Sequence, residues 1–203
     1  LGSYGYAGQY EQEPAPRAGG MFQRKWWRFY KELPEKVDEI IQSWDLTFKD
    51  TTGADFVVGM IWARAGANRY LIDMRRKQMG FTETCAAIKK FRNDYPKARK
   101  ILIEDKANGP AVQDALKREI NGIVMVEPKG SKTERAASVE PQIEAGNVFL
   151  PNPELHPWVQ DVIEECAKFP RGENDDIVDS TTQALIYFDD NSTRISKALA
   201  DLS

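Results

Sequence analysis

Three acidic spots, far apart in the chain, sit beside apolar runs: Asp45 in IIQSWDL, Glu104-Asp105 at the end of KILIED, and Asp175, Asp176 and Asp179 in ENDDIVDS. A carboxylate among apolar neighbours is costly unless it is paired or binds a metal. No Arg or Lys stands directly beside Asp45. Asp176 and Asp179, three apart on a helix, share a face. Converging carboxylates without His or Cys partners suit hard cations, Mg²⁺ or Mn²⁺ rather than Zn²⁺. Two such ions about 4 Å apart activate water and stabilise the leaving oxygen of a phosphodiester. Each spot also has a plainer reading. Asp175 and Asp176 in a first turn complement the helix dipole, with Asn174 as cap, and Glu104 and Asp105 are ordinary strand-end residues. His156, followed by Pro157, stands away from the acids in sequence and is set aside.

The elements that must position these acids can be read from periodicity and turn signals. Three strands are expected at 38–48, 55–65 and 69–78, the last two joined as a hairpin through the turn at 66–68. FTETCAAIKKFRNDY reads as a helix capped by Thr82 or Thr84 and closed by Pro96. KILIED (100–105) is a strand, GPAVQDALKREI a helix with Pro110 in its first turn, and GIVMVEP (122–128) a further buried strand. Helices around 132–145 and 156–168 flank a short GNVFLP strand, and a last helix opens at ENDDIVDSTTQALIYF. Antiparallel strands followed by strand–helix–strand units indicate an α/β fold, a mixed sheet with helices on both faces. There is no internal repeat and no GxxxxGK[ST] phosphate loop.

At 203 residues the chain can bury a sizeable core, and its net charge of −3 advertises no overall attraction to nucleic acid. Cys85 and Cys166 lack CxxC spacing, so neither zinc nor a disulfide framework is indicated and a reducing cytoplasm is expected. No apolar run approaches the roughly 18 to 20 residues of a membrane span, and no signal-peptide pattern opens the chain. Residues 1–3 read as a cloning scar, 4–36 as an interdomain linker and docking segment, and 37–203 as the folded domain. Within MFQRKWWRFYKELP, Trp26, Trp27 and Phe29 are expected to dock on that domain, with a nucleic-acid or interdomain contact as the other reading.

SWDLTFKD, ILIEDKANGP, PKGSKTERAASVEPQIEAGNVFLPN and ENDDIVDSTTQAL, in that order, resemble the C-terminal nuclease domain of the large terminase subunit of tailed bacteriophages or prophages. The lead-in PAPRAGGMFQRKWWRFY is similar to the segment joining that family's ATPase domain to its nuclease. The resemblance implies a ribonuclease H-like fold with three antiparallel strands followed by parallel ones. It implies metal-dependent, largely sequence-nonspecific endonuclease action on double-stranded DNA during genome packaging, in the host cytoplasm. The implied cofactor is a pair of Mg²⁺ or Mn²⁺ ions. Implied partners are the ATPase domain of the same protein, the small terminase subunit and the portal protein. Carried over by position, Asp45, Glu104 and Asp179 are the catalytic, metal-binding acids and Asp176 is a further ligand. Asp105 competes with Glu104 for the strand-end role, because with both sheet faces covered alternation does not separate them, though Glu104 is favoured. Lys106, Lys129, Lys132 and Arg135 lie where they could hold DNA phosphates; ordinary surface charge is their other reading. Two alternatives accompany this reading: a Holliday junction resolvase or integrase on the same fold, and a non-catalytic docking module.

Overall fold

The computed structural model describes residues 20–46, 56–106 and 108–200. The parts of the expected elements at 47–48 and 55, and residues 4–19 of the linker, lie outside them. A single 3₁₀ turn (Arg24–Trp26) precedes seven strands: β1 (Arg28–Tyr30), β2 (Glu39–Asp45), β3 (Val57–Ala65), β4 (Asn68–Lys77), β5 (Ala98–Glu104), β6 (Ile123–Val126) and β7 (Val148–Pro151). They form one sheet in the order β1-β7-β4-β3-β2-β5-β6. β2, β3 and β4 pair antiparallel, while β5 and β6 continue parallel to β2, and β7 runs parallel to β4. This is the mixed sheet expected of the ribonuclease H-like class.

Helices α1 (Phe81–Asp94) and α2 (Gly109–Leu116) cover one face, and α3 (Lys132–Glu144), α4 (Val159–Lys168) and α5 (Asp176–Ala200) cover the other. Alternation along β2 divides its side chains between these layers. Ile41 joins the core under α3, α4 and α5, whereas Trp44 joins Phe91, Ile101 and Ile103 in the core with α1 and α2. By the same alternation Ser43 and Asp45 face α5. Parallel strands covered on both sides read as near-continuous apolar runs, which is why KILIED carries no alternation.

Gly59 shows how tightly β2 is seated. It lies directly across from Trp44 in the β2–β3 ladder, and a Cβ there would meet the Trp44 ring at 2.5 Å. Gly59→Val is therefore expected to destabilise the fold by about 1–3 kcal/mol through overpacking. Urea unfolding measures this, and an unchanged midpoint would show that the Trp44 ring has room to move.

Several sequence expectations are corrected. α1 begins after Gly80 with no side-chain cap, so neither Thr82 nor Thr84 caps it, and Thr84 is buried within the helix. The lead-in packs Phe22, Trp26 and Trp27 into the core, but Phe29 is 48% exposed. Just after Trp27, residues 28–30 form β1 and pair with β7, a strand the sequence did not disclose. Both Cys85 and Cys166 are free and buried. Among the described residues no helix is long and apolar enough to cross a membrane.

Candidate functional site

Asp45 is the last residue of β2 and is 5% exposed. β2 and β5 run parallel in the register Trp44↔Ile103, so their next residues, Asp45 and Glu104, end adjacent strands side by side. Side chains at equivalent positions of neighbouring strands share a face, and here it is the face covered by α5. Asp105 follows the end of β5, is exposed, and donates its backbone N–H to the Val126 carbonyl. Lys106 Nζ stands 3.9 Å from Glu104 Oε1. Gly109 makes this corner possible, because a Cβ on it would lie 2.1 Å from the Glu104 carbonyl oxygen.

α5 brings Asp176 and Asp179 to the same region, and both are buried. A polar clamp that the sequence analysis missed fixes the helix on β2. Ser43 Oγ donates to the Ser180 carbonyl at 2.7 Å, and Ser180 Oγ donates back to the Ser43 carbonyl at 3.0 Å. Gln183 Nε2 adds bonds to Ser43 Oγ at 2.9 Å and to the Trp44 carbonyl at 3.3 Å. Buried polar groups require such partners. Trp44 and Ser180, which take part in this clamp, are the sequence neighbours of Asp45 and Asp179, so the clamp fixes the strand end that carries one acid on the helix that carries the other.

Asp175 and Asp179 are met by cations from the opposite side. Lys132 Nζ lies 2.7 Å from Asp175 Oδ1 and 2.6 Å from Asp179 Oδ2. Arg135 reaches Asp179 Oδ1 at 2.9 Å and also donates to the Gly130 carbonyl at 3.3 Å. Burial alone would lower the Lys132 pKa, but hydrogen bonds to Asp175 and Asp179 hold it above the ordinary lysine value. These cations start α3, whose N-terminus is fixed by a capping box: Glu134 N donates to Ser131 Oγ, and Ser131 N donates to Glu134 Oε2. That S-x-x-E signature was readable in the sequence, whereas the acid partners on α5 were not.

Glu104, Asp179, Arg135, Lys129 and Gln183 line a common pocket of about 130 Å³. The structure therefore gathers Glu104 and Asp179 with two of the basic residues, Lys129 and Arg135, and seats Asp45 beside Glu104 at the strand ends, while Asp45, Asp105, Asp176, Lys106 and Lys132 lie outside this lining. Among the described residues, no group of three or more His, Cys, Asp or Glu side chains is disposed to hold a metal ion. Glu104 and Asp179 offer only oxygen donors, the donor chemistry of a hard cation, and Asp179 has a cation at each oxygen.

The start of α5 corrects a further expectation. Asp175, not Asn174, precedes the helix, and its side chain turns to Lys132. The first-turn N–H groups of Ile177 and Val178 donate instead to Glu165 Oε1 on α4, at 2.7 and 3.4 Å. Glu165 also makes a 3.0 Å charge contact with Arg76, though without hydrogen-bond alignment. Burial pushes the Glu165 carboxyl up from 4.5 to about 7, against the opposing pull of Arg76. A carboxyl whose pKa is raised on folding favours the folded state while protonated, so that contribution is present below the ordinary value of 4.5 and lost as pH rises towards 7. Glu165→Gln should flatten this fall, which is at most about 3 kcal/mol. Melting curves between pH 4.5 and 7.5 check it, and an identical pH slope in the variant would assign the titration elsewhere.

The comparisons agree with this fold. The family described as "Terminase RNaseH-like domain" matches residues 42–188. No curated protein matches the chain. Among solved structures, the large terminase nuclease from thermophilic phage G20c with bound magnesium superposes with a TM-score of 0.63 at 16% identity, covering 84% of this chain and 98% of that one. The Thermus phage P74-26 large terminase nuclease domain gives 0.61 at 15% identity, covering 81% and 93%. The large terminase of a further thermophilic bacteriophage gives 0.61 at 12% identity over 82% of this chain, which spans 45% of that longer protein. At these identities the superpositions speak for the fold, and the match over 42–188 speaks for descent. The chain belongs to the terminase RNase H-like domain family.

Proposed function

We propose that this domain is a metal-dependent, largely sequence-nonspecific endonuclease of double-stranded DNA that cuts concatemeric viral DNA during genome packaging. One observation carries the reading. Glu104 and Asp179 line one pocket with Lys129 and Arg135, beside the end of the strand that carries Asp45, which supports a shared acidic site on a ribonuclease H-like sheet. Solved G20c nuclease structures carry magnesium, zinc or cobalt, which supports divalent-ion use on this fold. Asp45, Glu104 and Asp179, with Asp176 one turn before Asp179 on the same helix, are the residues that would hold the ions. When bound, a pair of Mg²⁺ or Mn²⁺ ions supplies an activated water and positive charge for the leaving oxygen.

The chain's own residues do the rest. The Ser43–Ser180–Gln183 clamp orients the acids, and burial of Asp45 and Asp179 limits water around them. Lys129, exposed at the pocket, and Lys106, beside Glu104, are placed to hold phosphates, a contact that positions DNA without reading its sequence. Expected partners are duplex DNA, the ATPase domain of the same protein, the small terminase subunit and the portal.

Incubation with supercoiled plasmid tests the activity. Mg²⁺ or Mn²⁺ should produce nicked and linear DNA with ends at many positions, and EDTA should stop it. Cutting confined to one sequence would replace the nonspecific reading. No cutting and no Mn²⁺ binding would leave a docking module whose acids only cap and solvate.

A further inference from the structure

We infer that Gln183 is a positioning residue of the proposed site: its side-chain amide ties both acid-bearing strands to the acid-bearing helix and turns its carbonyl oxygen to the pocket. This deepens the nuclease reading and rests on it. Gln183 lies one turn beyond Asp179 on α5, on the same face of the helix. From there Nε2 reaches Ser43 Oγ at 2.9 Å, the Trp44 carbonyl at 3.3 Å and, more distantly, the Leu102 carbonyl at 3.5 Å. Trp44 precedes Asp45 on β2, and Leu102 stands two residues before Glu104 on β5. The exchange between Ser43 and Ser180 joins α5 to β2, whereas Gln183 extends the tie to β5.

The partners dictate which way the amide faces. Backbone carbonyls only accept hydrogen bonds, so the NH₂ end must point to Trp44 and Leu102. Turned over, the amide would set its oxygen against two carbonyl oxygens and leave those acceptors without a donor. Oε1 therefore points away from the strands, and Gln183 lines the pocket with Glu104, Asp179, Lys129 and Arg135. Among the described residues no donor reaches Oε1.

The pocket thus has carboxylates, cationic donors and one neutral acceptor held in a single orientation. A DNA phosphate carries acceptors only and gains nothing from Oε1, while a water molecule beside it can donate to that oxygen. The tie to both strands and the fixed acceptor act on the geometry of reaction, not on the grip on DNA. Gln183 accordingly governs turnover rather than affinity.

Two readouts test this, one of them independent of cleavage. By NMR of the wild-type domain, the Gln183 side-chain amide, identified by its loss in Gln183→Met, should exchange its protons with solvent several-fold more slowly than that of the exposed Gln160. An amide that exchanges as fast as that of Gln160 overturns the inference. In plasmid cleavage, Gln183→Met should lower kcat about 10–100-fold, the scale of a small misplacement at a reacting centre, with KM unchanged. Ile88→Val, a core truncation on α1 at the opposite face of the sheet, controls for lost stability and should leave kcat unchanged. A Gln183→Met kcat within about twofold of wild type, or a loss matched by Ile88→Val, overturns the inference while the nuclease reading stands. A wild-type domain that cuts in neither Mg²⁺ nor Mn²⁺ overturns both. Should Gln183→Met fail to fold, Gln183→Glu, which keeps the outline of the side chain and loses its donors, is read in its place.

Discussion

Asp45→Asn is expected to remove DNA cleavage while leaving the domain at least as stable as wild type. The substitution preserves shape, and the ladder bonds to Val58 that hold the end of β2 are backbone bonds. What it removes is one negative charge at a position 5% exposed to solvent. For an ion-free fold that charge is a burden, because burying a carboxylate costs free energy that its partners rarely offset in full. For the proposed chemistry it is indispensable, since a neutral amide is a far poorer ligand for a hard divalent ion. Removing even an outer partner of a metal ligand costs about 10–100-fold, so losing the ligand itself should lower the rate by more than about 100-fold. Plasmid cleavage and urea unfolding, run on the same preparation, separate the two effects. A variant that unfolds earlier and still cuts would make Asp45 a structural acid.

Much of the fold was legible in the sequence because local signals agreed with tertiary ones. The turn at 66–68 placed the β3–β4 hairpin, Pro110 the start of α2, and the apolar runs of β5 and β6 the parallel strands, although β6, at the sheet edge, is only half-buried. β1 escaped because three residues carry no period, and its partner β7 lies near the other end of the domain. The caps were misread for a related reason. Thr82, Thr84 and Asn174 have suitable side chains, but α1 starts after Gly80 and the first turn of α5 is satisfied from α4 by Glu165. Propensity identifies candidates for a cap, and neighbouring helices decide which are used.

The acids themselves were visible as charges among apolar neighbours, but their relations were not. Alternation could not choose between Glu104 and Asp105 with both faces covered. The register Trp44↔Ile103 sets Glu104 beside Asp45 on one face of the sheet, a relation that only the paired strands supply. The basic residues show the same limit. Lys132 and Arg135 were read as phosphate holders from their place after β6, and nothing in the spacing revealed that α5 would set Asp175 and Asp179 against them. The clamp of Ser43, Ser180 and Gln183 likewise joins residues that are ordinary in sequence and become informative only when two elements meet.

Arg135→Met should destabilise the domain by about 1.5–3 kcal/mol, because buried Asp179 loses its guanidinium partner and keeps only the half-exposed Lys132. The side chains of Arg135 and Asp179 are 11% and 6% exposed, so solvent cannot take over the lost charge. Lys132 stays in place but is half-exposed, and a contact of that kind is worth at most about 1 kcal/mol. Two further measurements show whether the loss of the Arg135 charge beside Asp179 is the cause. Adding Asp179→Asn to Arg135→Met should recover much of the loss, giving a coupling energy between the sites that a simple packing defect would not produce. Saturating Mn²⁺ should raise the melting temperature of Arg135→Met more than that of wild type, because the ion then supplies the missing positive charge as well as the mass-action stabilisation common to both. If the double variant is no more stable than Arg135→Met, the guanidinium acts through its bond to the Gly130 carbonyl and the seating of α3, and Asp179 does not depend on it for neutralisation.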